Sequence, residues 1–459
     1  MAASSNSERL TPLDLLMPRT YITALFTFQT TKTNILVIKS LQNGLDSLAN
    51  TIPWLSGRVC PTAATKEHGR SLEIRYGSDD PSLALMDKGT IDASYEALSA
   101  EGIPPDAIPA DVWPLPMMID EDLFEKGAPV FGASLFRFAD GQGAGLCISI
   151  HHNAVDATGF ADIVRLWAQY TAGLVPVYQH GNRLDRLAGI LKSDLQVISL
   201  KTTDDLFELH PEYSRMPPTF PTEFAPCTCK IFTLSVTQIN AYKERLEGYP
   251  SGMPSTNTLV CALIWSAITR ARAQRCPDLG RESSRLAMAV NGRRRLGAEF
   301  SSPENPYLGN TILYSLAHSV VSDLNSLLES PVSFAKTCDV IAQSQSPTKI
   351  NSRHIAEAYE LVGRVDDYRT VFVGWDLFSS RDLTITSWAD LDLYAMTFGE
   401  GLGQPEFIRI PSSVADGVGI VLPRGRAASI SEVVEIMVML RTDDMAILEQ
   451  DTIWKNFGA

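Results

Sequence analysis

No uninterrupted apolar run in this 459-residue chain approaches the ~20 residues that span a bilayer. The opening Met1-Ala2-Ala3-Ser4-Ser5-Asn6-Ser7 has neither the basic nor the apolar region of a secretory signal. A cytoplasmic protein is therefore expected. Positive charge is also scarce: 39 Lys and Arg against 53 Asp and Glu leave a formal charge of -14. That balance excludes a general binder of nucleic acid or anionic membrane, since both need a cationic surface. The seven cysteines are an odd number scattered from Cys60 to Cys338, which fits reduced thiols rather than a disulfide framework. The close pair in Cys227-Thr228-Cys229 has no partner ligands near it in sequence and reads as two strand thiols, not half a zinc site. Internal repeats and low-complexity tracts are absent.

Core-forming material is ample. Hydrophobic residues make up 45% of the chain and charged residues 20%, the composition of a folded globular protein. The length exceeds one ordinary core and predicts two domains of roughly 200 residues each. The boundary falls in His210-Pro211-Glu212-Tyr213-Ser214-Arg215-Met216-Pro217-Pro218-Thr219-Phe220-Pro221-Thr222, whose four prolines remove backbone donors and oppose helix and central strand alike. The division is thus 1–205, a linker over 206–226, and 227–459. Beyond the linker the pattern predicts a strand over 229–234 and a helix over 236–246. A long helix over 255–275 follows, with Ser255, Thr256 or Asn257 available to cap it.

The stretch richest in chemistry is His151-His152-Asn153-Ala154-Val155-Asp156. It places two imidazoles and a carboxylate, groups suited to proton transfer near neutral pH, at the end of an apolar strand, Gly145-Leu146-Cys147-Ile148-Ser149-Ile150. If strand geometry holds through residue 152, the rings point opposite ways, His151 with Cys147 and Ser149, His152 with Leu146, Ile148 and Ile150. That favours one working histidine over a metal site built from His151, His152 and Asp156. Phe160 to Trp167 then carries helical spacing.

Several further motifs occur in order along the chain: Leu10-Thr11-Pro12-Leu13-Asp14, Pro53-Trp54-Leu55-Ser56-Gly57-Arg58, Ala262-Leu263-Ile264-Trp265, Asn291-Gly292-Arg293-Arg294-Arg295, Tyr307-Leu308-Gly309-Asn310 and Thr386-Ser387-Trp388. With His152 and Asp156 as an HxxxD motif, and Thr397-Phe398-Gly399-Glu400-Gly401-Leu402-Gly403-Gln404-Pro405 as a degenerate DFGWG element, the set resembles the BAHD-type acyl-CoA-dependent acyltransferases nearly end to end. Within that family it is similar to the fungal secondary-metabolism branch. The resemblance implies the two-domain α/β fold of the chloramphenicol acetyltransferase superfamily, mixed sheets flanked by helices. It also implies a tunnel at the domain interface and a segment near 380–410 joining the N-terminal sheet.

The implied chemistry is attack of an acceptor hydroxyl, or less often an amine, on an acyl-CoA thioester. No bound cofactor and no metal are expected, the partners being acyl-CoA and a small lipophilic acceptor met by a monomer. His152 is the candidate base, since a neutral imidazole can take a proton from a weakly nucleophilic alcohol as the bond forms. By resemblance Thr386 is a candidate donor to the oxyanion, against the alternative of an ordinary strand threonine. Asp156 is expected to pair with Arg293 or Arg295 and shape the histidine loop rather than form a dyad. CoA is a polyanion, and the stretch from Arg270 to Arg295 holds eight arginines against Asp278 and Glu282. Arg270, Arg272 and Arg294 are therefore candidates for its phosphates, the alternative being a solvated helix end. The chain departs from the family pattern at Ala157, Thr397 and Glu400, where glycine, aspartate and an aromatic are usual. These departures keep open a homologue repurposed for cyclisation or condensation, or one that no longer catalyses.

Overall fold

The computed structural model describes residues 5–31, 35–65, 69–77, 82–179, 181–246, 252–325, 331–425 and 433–458. The strand that ends at the histidine pair, Gly143–His151, is buried along its whole length. It lies between two antiparallel neighbours, Tyr21–Gln29 and Phe131–Phe138, with side chains covered on both faces, so its sequence is continuously apolar or small rather than alternating. Leu85–Ile91 flanks Phe131–Phe138 in parallel, and Phe407–Arg409 closes the far edge against Tyr21–Gln29. The resulting five-stranded sheet faces the helices Ile35–Thr51 and Ala157–Thr171, which bury Leu41, Leu45, Phe160 and Trp167 in one core.

A six-stranded mixed sheet forms the second half, in the order Cys227–Ser235, Val433–Arg441, Val418–Val421, Leu383–Ser387, Ser283–Asn291, Ile312–Val320. The long helix Thr256–Arg275 starts from Ser255, whose hydroxyl accepts the Thr258 N–H at 3.1 Å. It is buried through most of its length, consistent with its apolar residues on every face. The expected 380–410 segment divides between the sheets. Leu383–Ser387 sits inside the six-stranded sheet, and Phe407–Arg409 pairs with the five-stranded one.

Residues 206–226 do more than tether. They complete the helix Thr203–Leu209, and Tyr213–Ser214 pairs with Phe372–Val373. The first core likewise draws Val290, Tyr307, Leu313, Ile355 and Leu361 from the second half. A buried ion pair also crosses between the sheets: Arg409, 1% exposed, donates to both carboxylate oxygens of Glu435 at 3.0 and 2.8 Å. Among the described residues no helix is long and apolar enough to cross a membrane.

The turn around Thr397 explains its departures from the family pattern. Phe398 is 2% exposed and stacks edge-on against Phe28 and Trp167 at 5.5 and 5.9 Å, plugging the first core. Thr397 and Glu400 point outward and are exposed. Gly399 has φ +75°, and a side chain there would also crowd the Thr171 carbonyl at 3.3 Å. The shape of the turn thus rests on Phe398 and Gly399, not on the altered positions. Ala157 opens the helix Ala157–Thr171 with no left-handed backbone that would call for glycine. Thr397→Asp is accordingly expected to change the rate by less than about tenfold, since an exposed residue of a remote turn makes no contact specific to the transition state. A gain of several hundredfold in acyl-transfer assays would instead mark the chain as detuned for that reaction.

Candidate active site

The strand stops at His151, one residue before the histidine of the HxxxD motif, so period-two alternation does not extend to residue 152. A tight turn takes over: the His151 carbonyl accepts the Ala154 N–H at 2.8 Å, and the Asn153 N–H donates to His151 Nδ1 at 3.1 Å. His151 is 1% exposed and lies edge-on to Tyr21, ring centroids 5.5 Å apart. Burial, with the His152 charge in support, pushes its pKa down to about 3. It is a neutral packing residue. His152 is half-buried. Its backbone is fixed at both ends, N–H to the Thr20 carbonyl at 2.9 Å and C=O from Asn310 Nδ2 at 3.0 Å. Nδ1 is shielded from solvent and makes no directed hydrogen bond, which leaves Nε2 as the nitrogen open to a ligand. Burial lowers the His152 pKa below the ordinary 6.5, and nearby backbone carbonyls and the Asp156 charge oppose this only in part.

Asp156 is fully buried and accepts three hydrogen bonds, none of them from an imidazole. One oxygen caps the following helix by accepting Gly159 N–H at 2.9 Å, and the other accepts Arg293 Nη1 at 2.7 Å and Thr311 N–H at 3.0 Å. Its bonds run to the following helix and to the second half, and the ligand atoms of His151, His152 and Asp156 do not group as a metal site, so neither a His-Asp dyad nor that metal centre is formed among the described residues. Of the two candidate partners the structure selects Arg293. Its guanidinium also donates to the Tyr307 and Gly309 carbonyls at 2.7 Å each, pinning residues 307–311 from the second half onto the histidine turn. Arg295 turns away and donates to the Gln345 carbonyl at 3.0 Å. The approach is close: a methyl at Gly159 would lie 2.1 Å from the Leu308 carbonyl oxygen.

A second ring of buried polar groups holds the turn from behind. Asp14 Oδ1 accepts both the backbone N–H and Nδ2 of Asn310, at 2.8 and 2.9 Å, and Asn153 Nδ2 donates to the Asp14 and Met17 carbonyls. Arg183 is buried against Glu8 at 2.9 Å and donates to the Ala154 carbonyl at 2.8 Å. In the sequence Asp14 and Asn310 are motif letters without roles, and nothing local marks Asn153, Arg183 or Glu8 for this task. The local trace in the sequence is Thr11-Pro12-Leu13-Asp14, a capping box in which Thr11 and Asp14 satisfy each other's donors.

Thr386 lies half-buried on Leu383–Ser387, in register with Ile420. Two residues on, the Trp388 ring packs 5.8 Å from Phe160, in the first turns of the helix that follows the histidine turn. The arginine-rich stretch resolves differently from the expectation. Arg270 grips Asp451 through Nε and Nη2 at 2.9 and 3.1 Å, and Arg272, 1% exposed, donates to Asp416 at 2.9 Å and to the Asp382 carbonyl at 3.0 Å. Both are structural cations of the second half, and neither is free for a phosphate. Arg294 is exposed on the short helix Arg293–Leu296, the one whose Arg293 reaches Asp156.

Residues 111–453 match the model of the Transferase family, and residues 19–170 match a trichothecene 3-O-acetyltransferase-like N-terminal domain. The chain is 26% identical to a trichothecene 8-O-acetyltransferase of Fusarium sporotrichioides over 96% of each chain. It is 24% identical to the O-acetyltransferase ptmV of Penicillium ochrochloron, over 98% of this chain and 96% of that one. The structure of F. sporotrichioides TRI101 complexed with coenzyme A and T-2 superposes with a TM-score of 0.79 at 19% identity, covering 98% of this chain and 99% of the other. With the family model covering most of its length and the two-domain fold shared, the chain belongs to the Transferase family of BAHD-type acyltransferases.

Proposed function

We propose that this enzyme transfers an acetyl or other short acyl group from acyl-CoA to a hydroxyl of a lipophilic secondary metabolite, with His152 as the general base. The observation that carries the reading is the isolation of the His152 side chain. Its backbone is held at both ends and Asp156 is bonded elsewhere, while its own ring stays neutral with Nε2 uncommitted. In this mechanism Nε2 accepts the acceptor's hydroxyl proton as oxygen attacks the thioester carbon. The imidazolium then returns the proton to the departing CoA thiolate, so neither a metal nor an acyl-enzyme is needed. Thr386 is the candidate donor to the oxyanion. Arg294 is the remaining candidate among the three arginines for a CoA phosphate, and substrates would enter between the two halves. The same reading takes the protein to act as a cytoplasmic monomer. Incubating the purified protein with a panel of acyl-CoAs and lipophilic alcohols, with mass detection of ester and free CoA, tests the assignment. Consumption of acyl-CoA with no acylated acceptor across the panel would refute it.

The lowered pKa carries a signed prediction. The base works as neutral imidazole, so kcat/KM is expected to be flat around neutrality and to fall only as pH drops below 6.5, the ordinary histidine value. An acid limb centred above 6.5 in a buffer-independent pH profile would contradict the half-buried His152 as the base.

A further inference from the structure

Away from the histidine turn, two short motifs distant in sequence meet. His210-Pro211-Glu212 follows the helix Thr203–Leu209, and His354 and Glu357 lie in the first turns of the helix Ser352–Gly363. One ligand atom from each of His210, Glu212 and His354 lies within 4.8 Å of the others. His210 is fully buried and Glu212 is 4% exposed. His354 Nε2 stands 3.1 Å from Glu212 Oε1, and His210 Nε2 stands 3.5 Å from Glu357 Oε2, yet neither nitrogen makes a directed hydrogen bond. The donors meet at the Nδ1 edge of the His210 ring: Glu212 Oε1 lies 2.7 Å from His210 Nδ1 and 3.1 Å from His354 Nε2, somewhat inside the roughly 3.3–3.4 Å that separates neighbouring ligands of a tetrahedral ion with bonds of about 2.0–2.1 Å. Orientation is also fixed. His210 Nε2, on the opposite edge of the ring, faces Glu357 Oε2 as an outer carboxylate, and Glu357 Oε1 is in turn held by Lys201 at 3.0 Å and Arg353 at 3.5 Å.

We propose that His210, Glu212 and His354, with Glu357 beside them, form a structural site for a divalent transition-metal cation of the zinc class. Imidazole and carboxylate donors without thiolate suit that class. The ion would tie the segment between the two halves to the helix Ser352–Gly363, which packs on the helix Pro12–Leu15 that carries Asp14. It would stiffen the support of the active site without touching the reacting atoms.

The test uses full-length protein dialysed against EDTA and titrated with Co2+, then with Zn2+. One equivalent of Co2+ is expected to give the visible absorption of a low-coordinate site, Zn2+ to displace it, and the metal to raise Tm by several degrees. His354→Ala and Glu212→Gln are expected to lose the signal, while His152→Ala keeps it, which separates this site from the proposed active site. Wild-type protein that gives no such absorption and shows no Tm change with Zn2+ or EDTA would overturn the proposal. A signal that survives in both His354→Ala and Glu212→Gln would overturn it as well.

Discussion

His152→Ala is expected to lower kcat for acyl transfer by about 100-fold to 10,000-fold, the usual cost of losing a general base, while leaving the unfolding midpoint close to that of the parent protein. The two effects separate because the backbone of residue 152, not its ring, supports the turn. Its N–H and C=O are held by Thr20 and Asn310, and its Nδ1 makes no directed bond. His151→Ala should show the opposite balance. It removes a buried ring that accepts Asn153 N–H and packs on Tyr21, so stability falls more than the rate. Equal, near-complete loss of activity in both variants, measured beside thermal melts, would refute a single base. Full activity of His152→Ala would do the same.

Asp156→Ala is expected to destabilise the protein by about 3–5 kcal/mol, the range for breaking a buried ion pair by removing one partner. Three interactions go together: the cap on Gly159, the Arg293 pair, and the acceptor for Thr311 N–H. Arg293 is left charged and 3% exposed. Urea unfolding and soluble yield report the loss directly. Because Arg293→Ala breaks the same junction, the double variant should cost clearly less than the sum of the two singles. An Asp156→Ala protein as stable as wild type but slow would point to a catalytic dyad and away from this junction.

Parts of the fold around the candidate site are legible in the sequence. The short apolar run before His152 marks a central strand, because a strand covered on both faces needs no polar alternation. Ser255 announces the start of the long helix, since its hydroxyl accepts a first-turn N–H. Other features were hidden for a physical reason. The run from Arg270 to Arg295 looks unpaired when read locally, because its partners Asp382, Asp416, Asp444 and Asp451 lie far downstream and Asp156 far upstream. Strand alternation failed at residue 152 because the turn begins there, and periodicity carries no information about where a strand stops.

Sequence alone determined the residue types and their order: an imidazole after a buried strand, a carboxylate four residues on, and the succession of motifs that marks the family. The tertiary structure decided which charges meet. It chose Arg293 over Arg295, sent Arg270 and Arg272 into the second half, and seated Asn310 between Asp14 and the His152 carbonyl across 296 residues of chain. The reason is one of range. Capping and strand burial act between neighbours in sequence, whereas a buried polar group must find a partner wherever packing brings one within about 3 Å, and that depends on how the two halves close on each other.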